Sequence, residues 1–383
     1  MKIGFVLDDR LDKPDGVQQY VKLVGSWLSG RGHEVHYLVG DSPNASQTNV
    51  HHLSRTVGVK FNKNRMAIPL PASKKQINEV LKREHFDVLH VQMPYSPHLA
   101  GRVVRAAEPQ TAVVGTFHIL PHGTLSSAGT RALGAYLRRT NKRFDRFISV
   151  SEAARIFARS HFGINSVVLP NVVEMTTYKK GRPLARYSDR QNIVFLGRLV
   201  NRKGAPYLLK AYSSLLEAHP EMAKTTRLIV CGDGAERAQL EQTVAVITQK
   251  YGAEIIFTGF LDETDKPHYL ASATVAVFPS TGGESFGIVL IEAMAAAAGV
   301  VLGGDNPGYS SVLGPINGTL IDPYNARSFA ARLYAILSDS KEFKRIHEAQ
   351  YELVKQFDIA VVGPKIEALY TTVLAARPHS IDN

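Results

Sequence analysis

The residues best suited to chemistry form one short stretch, from Gly282 to Glu292. Two glutamates in it, Glu284 and Glu292, stand eight positions apart, and a glycine pair precedes the first of them. A glycine turn that opens a helix presents backbone N–H groups and a positive dipole end to an anion. Because phosphate alone requires no carboxylates, the pattern predicts a ligand with hydroxyls as well as phosphate, such as a nucleotide sugar. The alternative is structural, with Glu284 capping the helix.

A second candidate stretch, residues 197–204, follows an apolar run that predicts a strand. It contains Arg198 and Lys203, which would lie at the carboxyl edge of a sheet. A planar guanidinium and a compact ammonium together suit a diphosphate leaving group. The alternative is an ordinary solvated basic loop.

Two further candidates lie in the first half of the chain. Gly16 follows the first predicted strand and opens the first predicted helix, where its backbone could approach a phosphate. His118 ends a later predicted strand and could form a hydrogen bond with a sugar hydroxyl or an acceptor. The structural alternatives are a loop glycine and a core histidine.

Strand and helix patterns alternate along the whole chain and would position these residues. The alternation predicts an α/β protein with two doubly wound parallel sheets, a polar linker at 180–190 and a cleft between the strands' carboxyl ends. The predicted strands are 3–7, 35–39, 88–91, 112–116, 147–150, 193–196, 227–231, 255–257 and 275–278. The predicted helices include 17–28, 71–83, 207–216, 236–249 and 293–298.

Composition restricts the class of protein. A length of 383 residues with 44% hydrophobic residues suits two globular domains. The single cysteine, Cys231, lies in an apolar run, so we expect a buried side chain, no disulfide and a reducing cytoplasm. The first residues do not resemble a signal peptide, and no apolar run approaches the length of a spanning helix.

Positive charge is concentrated in one half. Residues 1–190 contain 28 Lys and Arg against 14 Asp and Glu, whereas residues 191–383 contain 17 against 20. The helix predicted over 71–83, with Ser73 as N-cap, gathers Lys74, Lys75, Lys82 and Arg83 on its polar side. A second basic run, 138–146, is predicted on another helix. Such helices suit an anionic lipid surface, with a solvated outer face as the alternative. Nucleic acid is disfavoured, since no aromatic residues interleave with the charges.

Taken together, these motifs resemble the retaining glycosyltransferases of family 4, whose GT-B fold has two Rossmann-like domains facing across a cleft. The resemblance is carried by residues 15–18, 112–118, 197–204 and 282–296, and it runs almost end to end. It implies an acceptor and membrane domain at 1–185, a nucleotide-sugar domain at 190–358 and a helix at 359–383 that returns to the first domain.

Within that family the chain is most similar to members that transfer mannose from GDP-mannose to phosphatidylinositol. The expected enzyme is a cytoplasmic protein bound peripherally to the inner face of the cell membrane. One alternative is a UDP-hexose-dependent enzyme that makes another glycolipid or a polysaccharide. The others are a non-catalytic nucleotide-sugar-binding protein and a nucleic-acid-binding protein.

The resemblance also implies roles for single residues, without any metal or cofactor. Glu284, Arg198, Lys203 and His118 are the expected catalytic residues. Arg198 and Lys203 would hold the diphosphate, Glu284 and His118 the transferred sugar, and Glu292 the ribose. The remaining donor contacts would come from Gly16, Glu263 (at the guanine), Phe286, Gly287 and Ile288. Gln18, Lys74, Lys75, Lys82 and Arg83 would serve the acceptor and the membrane.

Overall fold

The computed structural model describes residues 1–54, 56–61, 64–69, 72–118, 134 and 136–377, with only the backbone described at 56–61 and 64–69. Pro71 of the predicted basic helix and residues 378–383 of the predicted C-terminal segment lie outside the described residues. The chain forms two compact units. Unit 1 contains Met1–Val172 and the chain from Ile359 onward, and unit 2 contains Val173–Asp358. The sequence patterns place the boundary later, in the polar stretch at 180–190.

Unit 1 is built on a seven-stranded parallel sheet in the order β3-β2-β1-β6-β7-β8-β9. Strands β4 and β5 form a separate antiparallel pair. The strands are β1 Lys2–Val6, β2 Glu34–Gly40, β3 Val50–Ser54, β4 Thr56–Phe61, β5 Asn64–Pro69, β6 Val88–Gln92, β7 Ala112–Phe117, β8 Arg146–Ser149 and β9 Val167–Val168. The helices are Gly16–Gly30, Lys74–Glu84, Leu99–Ala106, Glu152–Phe162 and Ile359–Ala375, with a further helical stretch at 136–141.

Apolar side chains cover both faces of this sheet, which explains why its strands are almost continuously hydrophobic. On one face, the helix Gly16–Gly30 and the C-terminal helix Ile359–Ala375 share one apolar cluster with β1. On the other face, Ile77 and Val103 belong to the cluster that covers β6. The final helix is therefore part of the core of unit 1.

Unit 2 is built on a six-stranded parallel sheet in the order β12-β11-β10-β13-β14-β15. Its strands are β10 Gln191–Leu196, β11 Thr226–Cys231, β12 Glu254–Gly259, β13 Val275–Phe278, β14 Val300–Gly304 and β15 Leu320–Ile321. Its helices are Met175–Tyr178, Ala205–Ala218, Met222–Thr225, Arg237–Tyr251, Lys266–Ala271, Ile288–Ala295, Pro307–Leu313, Ala326–Ser338 and Ser340–Val354. Single 3-10 turns occur at Ala185–Tyr187, Asn201–Lys203 and Lys355–Phe357. The predicted α/β class with two parallel sheets is confirmed.

The strand order of unit 2 reverses between β10 and β13. The loops that follow these two strands leave the sheet in opposite directions, so a crevice opens between them at the carboxyl ends. The two candidate stretches identified from the sequence, 197–204 and 282–292, follow β10 and β13 respectively. The topology of one sheet therefore brings the two stretches together.

Two predicted helices differ from the observed ones. The helix predicted at 293–298 runs instead over Ile288–Ala295, so Glu292 lies within the helix and not before it. Gly287 at φ 101° starts this helix early, and the apolar residues after it are buried on most sides. The helix predicted over the basic run 138–146 ends at residue 141. Lys142 and Arg143 lie in a turn and Arg146 lies in β8, so the prediction that they share a helix with Arg138 is wrong. Asp145, the neighbour of Arg146, accepts the backbone N–H of Val113, which fixes this segment against β7.

No helix in the described part of the chain is both long enough and apolar enough to span a bilayer.

The turn at Gly204 provides a test of this packing. A Cβ added to Gly204, at φ 84°, would lie 1.9 Å from the carbonyl oxygen of Pro279, the residue that follows β13 by one position. Gly252 has a similar φ of 68°, but a Cβ there would meet no atom within 4 Å. We expect Gly252→Ala to cost about 1–2 kcal/mol of unfolding free energy from backbone strain. Gly204→Ala should cost roughly 3 kcal/mol, because a steric clash adds to that strain.

Urea denaturation of the two variants beside the wild type measures both costs. Equal losses would contradict the close approach of the loop at Gly204 to the end of β13.

Candidate functional site

The carboxylate of Glu284 is the centre of the candidate site in unit 2. One oxygen, Oε1, accepts from Arg202 Nη1, Lys203 Nζ and Ser280 Oγ, each at 2.8 Å. Burial acts to raise the pKa of Glu284, but the charges of Lys203 and Arg202 outweigh it and hold the pKa below its usual value. Within the described part of the chain no donor contacts Oε2. The carboxylate is therefore ionised at neutral pH and keeps one oxygen able to accept from a ligand.

The loop after β10 carries three cations, and two of them, Arg202 and Lys203, pair with this carboxylate. Burial lowers the pKa of Lys203, Glu284 opposes that effect, and the like charges of Arg202 and Arg198 add to it. Arg198 is exposed and has no ion-pair partner among the residues that the structure describes. The loop thus carries three cations, of which the Glu284 carboxylate pairs with two, and the surplus of positive charge suits an anion.

Arg202 was not among the residues assigned from the sequence. The signal available was weak, because Arg202 is one more basic residue in an already basic loop. Its contact with Glu284, 82 positions later in the chain, is visible only in the folded unit.

The loop after β13 presents the start of a helix without a side-chain cap. Gly287 is the N-cap of Ile288–Ala295 and, having no side chain, makes no side-chain capping bond. Glu284 contacts cations instead, so the structural alternative, in which it caps this helix, is wrong. Phe286 is buried and packs edge-on against Phe357 with ring centroids 5.5 Å apart. The loop is anchored while its helix start remains able to bind an anion.

Glu292 lies in a second group of side chains. It is 5% exposed, and burial raises its pKa, whereas Lys266 and a hydrogen bond from the Tyr178 hydroxyl lower it. Glu263 adds a like charge that raises the pKa of Glu292 further. Glu263 Oε1 lies 2.6 Å from Lys266 Nζ. The structure therefore brings together the two acids assigned to the ribose and the base.

Tyr178, which contacts Glu292, was not predicted from the sequence as a site residue. Burial raises its pKa, and the neighbouring Glu292 carboxylate contributes in the same direction. Tyr178 ends a helix of one turn just before the predicted linker, and no local pattern marks it as a partner of Glu292.

The unit 1 candidates lie at or near the carboxyl ends of the central strands. Gly16 opens the helix Gly16–Gly30, whose N-cap Asp15 makes no side-chain capping bond. Gln18 is buried, and its Nε2 donates to the backbone oxygen of Arg10 at 3.0 Å, so the amide supports the loop after β1. His118 follows β7 and is also buried, with Nε2 2.7 Å from Gln92 Oε1. Burial lowers its pKa to about 3, so the ring is neutral.

The basic helix is observed over Lys74–Glu84. Ser73 Oγ accepts from the N–H of Gln76 at 3.4 Å, which confirms the predicted N-cap. The buried side of this helix is apolar and is formed by Ile77, Val80 and Leu81. The basic side chains assigned to the membrane are exposed, namely Lys74, Lys75, Lys82 and Arg83.

One group of potential metal ligands occurs among the described residues, formed by His36, His51 and Glu84 in unit 1. His36 Nδ1 lies 2.9 Å from His51 Nε2, and the two rings are within 1° of parallel. His36 Nε2 contacts Glu34 at 2.8 Å, and Arg83 contacts His51 Nδ1 at 3.4 Å. Each ring nitrogen thus has a hydrogen-bonding partner, so the group is already satisfied without an ion.

Comparison with known families covers nearly the whole chain. The family described as Glycosyltransferase Family 4 matches residues 14–176. The family described as Glycosyl transferases group 1 matches residues 179–353.

Individual proteins match over similar lengths. The phosphatidyl-myo-inositol mannosyltransferase of Mycolicibacterium smegmatis is 31% identical over 381 residues, covering 98% of this chain and 95% of that protein. A glycosyltransferase from Rickettsia africae has a TM-score of 0.75 at 16% identity, covering 98% of this chain and 99% of that one. Anabaena HepE, solved with UDP and glucose, has a TM-score of 0.69 at 16% identity, covering 97% and 100%. The fold is that of the GT-B glycosyltransferases.

The burial of Glu292 predicts a dependence of stability on pH. Its folded pKa is raised, so the stability that this group contributes at low pH is lost as the pH rises through that value. Glutamine cannot ionise and avoids this loss. We expect Glu292→Gln to match the wild type near pH 4.5 and to exceed it by about 1 kcal/mol near pH 8.

Urea denaturation across this pH range measures the difference. Glu348→Gln, on an exposed helix surface, is the matched control and should follow the wild type throughout. A Glu292→Gln curve parallel to the wild type would contradict the raised pKa.

Proposed function

The chain belongs to glycosyltransferase family 4, and from that premise we propose that it transfers mannose from GDP-mannose to phosphatidylinositol or a related membrane lipid, with retention of configuration. The observation that carries the proposal is the arrangement around Glu284. Its carboxylate pairs with Arg202 and Lys203, the charge of Arg198 acts on Lys203, and three residues after Glu284 the N-cap Gly287 starts a helix without a side-chain cap. This arrangement supplies positive charge for a diphosphate and a carboxylate oxygen for sugar hydroxyls at the same place. A nucleotide sugar carries both groups.

The cations act on the leaving group. As the bond between the sugar and the diphosphate breaks, the bonding electrons go to GDP and the anomeric carbon becomes oxocarbenium-like. Arg198 and Lys203 stabilise the growing negative charge of the diphosphate, and the helix start at Gly287–Ile288 adds its N–H groups. Two cations and a helix dipole can replace a divalent ion in this role, so we propose a reaction that requires no metal.

The acids recognise the donor. Glu284 Oε2 accepts hydrogen bonds from hydroxyls of the transferred sugar. The ion pairs of Glu284 keep the carboxylate ionised, so that it can only accept. Glu292 accepts from the ribose hydroxyls, and Glu263 contributes to recognition of guanine. In unit 1 we assign Gly16 to the diphosphate and His118 to the transferred sugar, as the family resemblance implies.

The acceptor assignment rests on charge and on relatives. The Mycolicibacterium smegmatis relative is named as a phosphatidyl-myo-inositol mannosyltransferase. In this chain the exposed cations of the helix Lys74–Glu84 suit the anionic headgroups of a membrane surface. We therefore propose that the protein acts at the inner face of the cell membrane as a peripheral enzyme, with Gln18 supporting the acceptor side of unit 1.

A donor and acceptor screen tests the assignment directly. The protein is incubated with GDP-mannose or UDP-glucose, without vesicles, with vesicles that contain phosphatidylinositol, or with vesicles of neutral lipid. We expect fast release of GDP and formation of a mannosylated lipid with the phosphatidylinositol vesicles, and only slow release of GDP by hydrolysis of GDP-mannose without them. Release of UDP without any release of GDP would refute the mannose donor, and equal transfer to vesicles of neutral lipid would refute the anionic acceptor.

Arg198→Met is the cleanest test of the diphosphate site. Arg198 is exposed and takes no part in the ion pairs of Glu284, so its removal should leave folding unchanged. We expect kcat to fall by about 100-fold, because one group that stabilises the transition-state charge is lost. Lys203→Met should lose at least as much activity and should also disturb Glu284.

Lys224→Met, which removes an exposed lysine elsewhere in unit 2, is the matched control and should retain wild-type kcat. Wild-type activity in both Arg198→Met and Lys203→Met would refute the assignment.

A further inference from the structure

Four polar side chains lie on the central strands of unit 1. His90 and Gln92 alternate on β6, and Thr116 and His118 alternate on and just after β7. Gln92 is paired with Thr116, so the four side chains occupy one face of two neighbouring strands. All are buried. Central strands of a parallel sheet are usually apolar, so this polar group in the core calls for a reason.

The hydrogen bonds of the group orient the amide of Gln92. Its Nε2 donates to the backbone oxygen of His90 at 3.4 Å, and that oxygen can only accept. The amide oxygen Oε1 therefore faces His118, whose Nε2 lies 2.7 Å away. Because Oε1 also can only accept, the proton of the imidazole must be on Nε2.

The surroundings keep this imidazole neutral. Burial lowers the pKa of His118 to about 3 and that of His90 to about 3 as well. Tyr20, from the helix Gly16–Gly30, contacts the His118 ring edge-on at 5.0 Å between centroids. The hydroxyl of Tyr370, from the C-terminal helix, forms a hydrogen bond with His90 Nδ1 at 2.6 Å. No carboxylate of the described residues contacts His118, so nothing among these groups favours the imidazolium.

We propose that Gln92 is a positioning residue, which fixes His118 as the neutral Nε2–H tautomer and so keeps an uncharged ring beside the transferred sugar. The inference rests on the proposed function, since that function places His118 beside the sugar. The chemical reason is electrostatic. Positive charge develops on the anomeric carbon during transfer, and an imidazolium nearby would oppose it. An amide holds the ring without raising its pKa, whereas a carboxylate in the same place would raise it.

The tautomer is measured without reference to activity. Protein labelled with ¹⁵N-histidine is studied by NMR, and His118→Gln identifies the signals of His118 by their loss. We expect the proton on Nε2 in the wild type and a mixture of tautomers in Gln92→Leu. A proton on Nδ1 in the wild type, or an unchanged spectrum in Gln92→Leu, would overturn the proposal.

The pH dependence of kcat for mannosyl transfer separates positioning from a merely structural role. Gln92→Leu should lose about tenfold in kcat at every pH, because the ring is no longer held. Gln92→Glu should lose at least about tenfold more at pH 6 than at pH 8, because the carboxylate raises the His118 pKa and the imidazolium forms. Gln239→Glu, which places the same charge on an exposed helix of unit 2, is the control and should keep the wild-type profile.

Parallel pH profiles for Gln92→Glu and the wild type would overturn the proposal. Thermal unfolding and GDP binding of each variant show whether the units remain folded. If the wild type transfers no mannose, the proposed function fails, yet the tautomer measured on the wild type still decides the role of Gln92.

Discussion

The ion pairs of Glu284 are the interaction on which the candidate site depends. They join the loop after β10 to the loop after β13, the two strands between which the order of the sheet reverses. A carboxylate that is largely shielded from water is costly unless it is paired, and the Glu284 carboxylate, 12% exposed, contacts two cations and a hydroxyl. The pairing links the two loops, and it places a carboxylate beside two cations. The proposed nucleotide sugar would require both kinds of group.

Backbone conformation makes that arrangement possible. Gly204 ends the basic turn in a left-handed conformation and packs against Pro279. Gly287, which also has a positive φ, starts the helix Ile288–Ala295. Gly308 brings a third segment against the backbone of Glu284, with no room for a side chain. Because glycines occupy the close contacts, these segments approach one another more closely than a side chain would allow. The backbone contacts therefore set the positions of the loops, and the side chains supply the charge.

The polar groups of the two units differ in charge and in burial. Unit 2 concentrates charge at the carboxyl edge of its sheet, where Arg198 is exposed and Glu284 is held ionised. Unit 1 buries neutral polar groups between its central strands, with His90 and His118 both uncharged. In the function proposed above, the ionic groups of unit 2 would serve the leaving diphosphate and the neutral groups of unit 1 the sugar.

The sequence by itself determined the architecture and the main cations and acids of the site. Hydrophobic periodicity is a local property, so alternating strands and helices predicted both parallel sheets, and strand–glycine–helix motifs marked Arg198, Lys203 and Glu284. Only the tertiary structure decided which groups these residues meet. Arg202 contacts a residue 82 positions away, Tyr178 reaches Glu292 from another element, and Gln92 meets His118 across two strands. Such contacts depend on sheet order and strand register, which bring distant residues together and leave no trace in the local pattern.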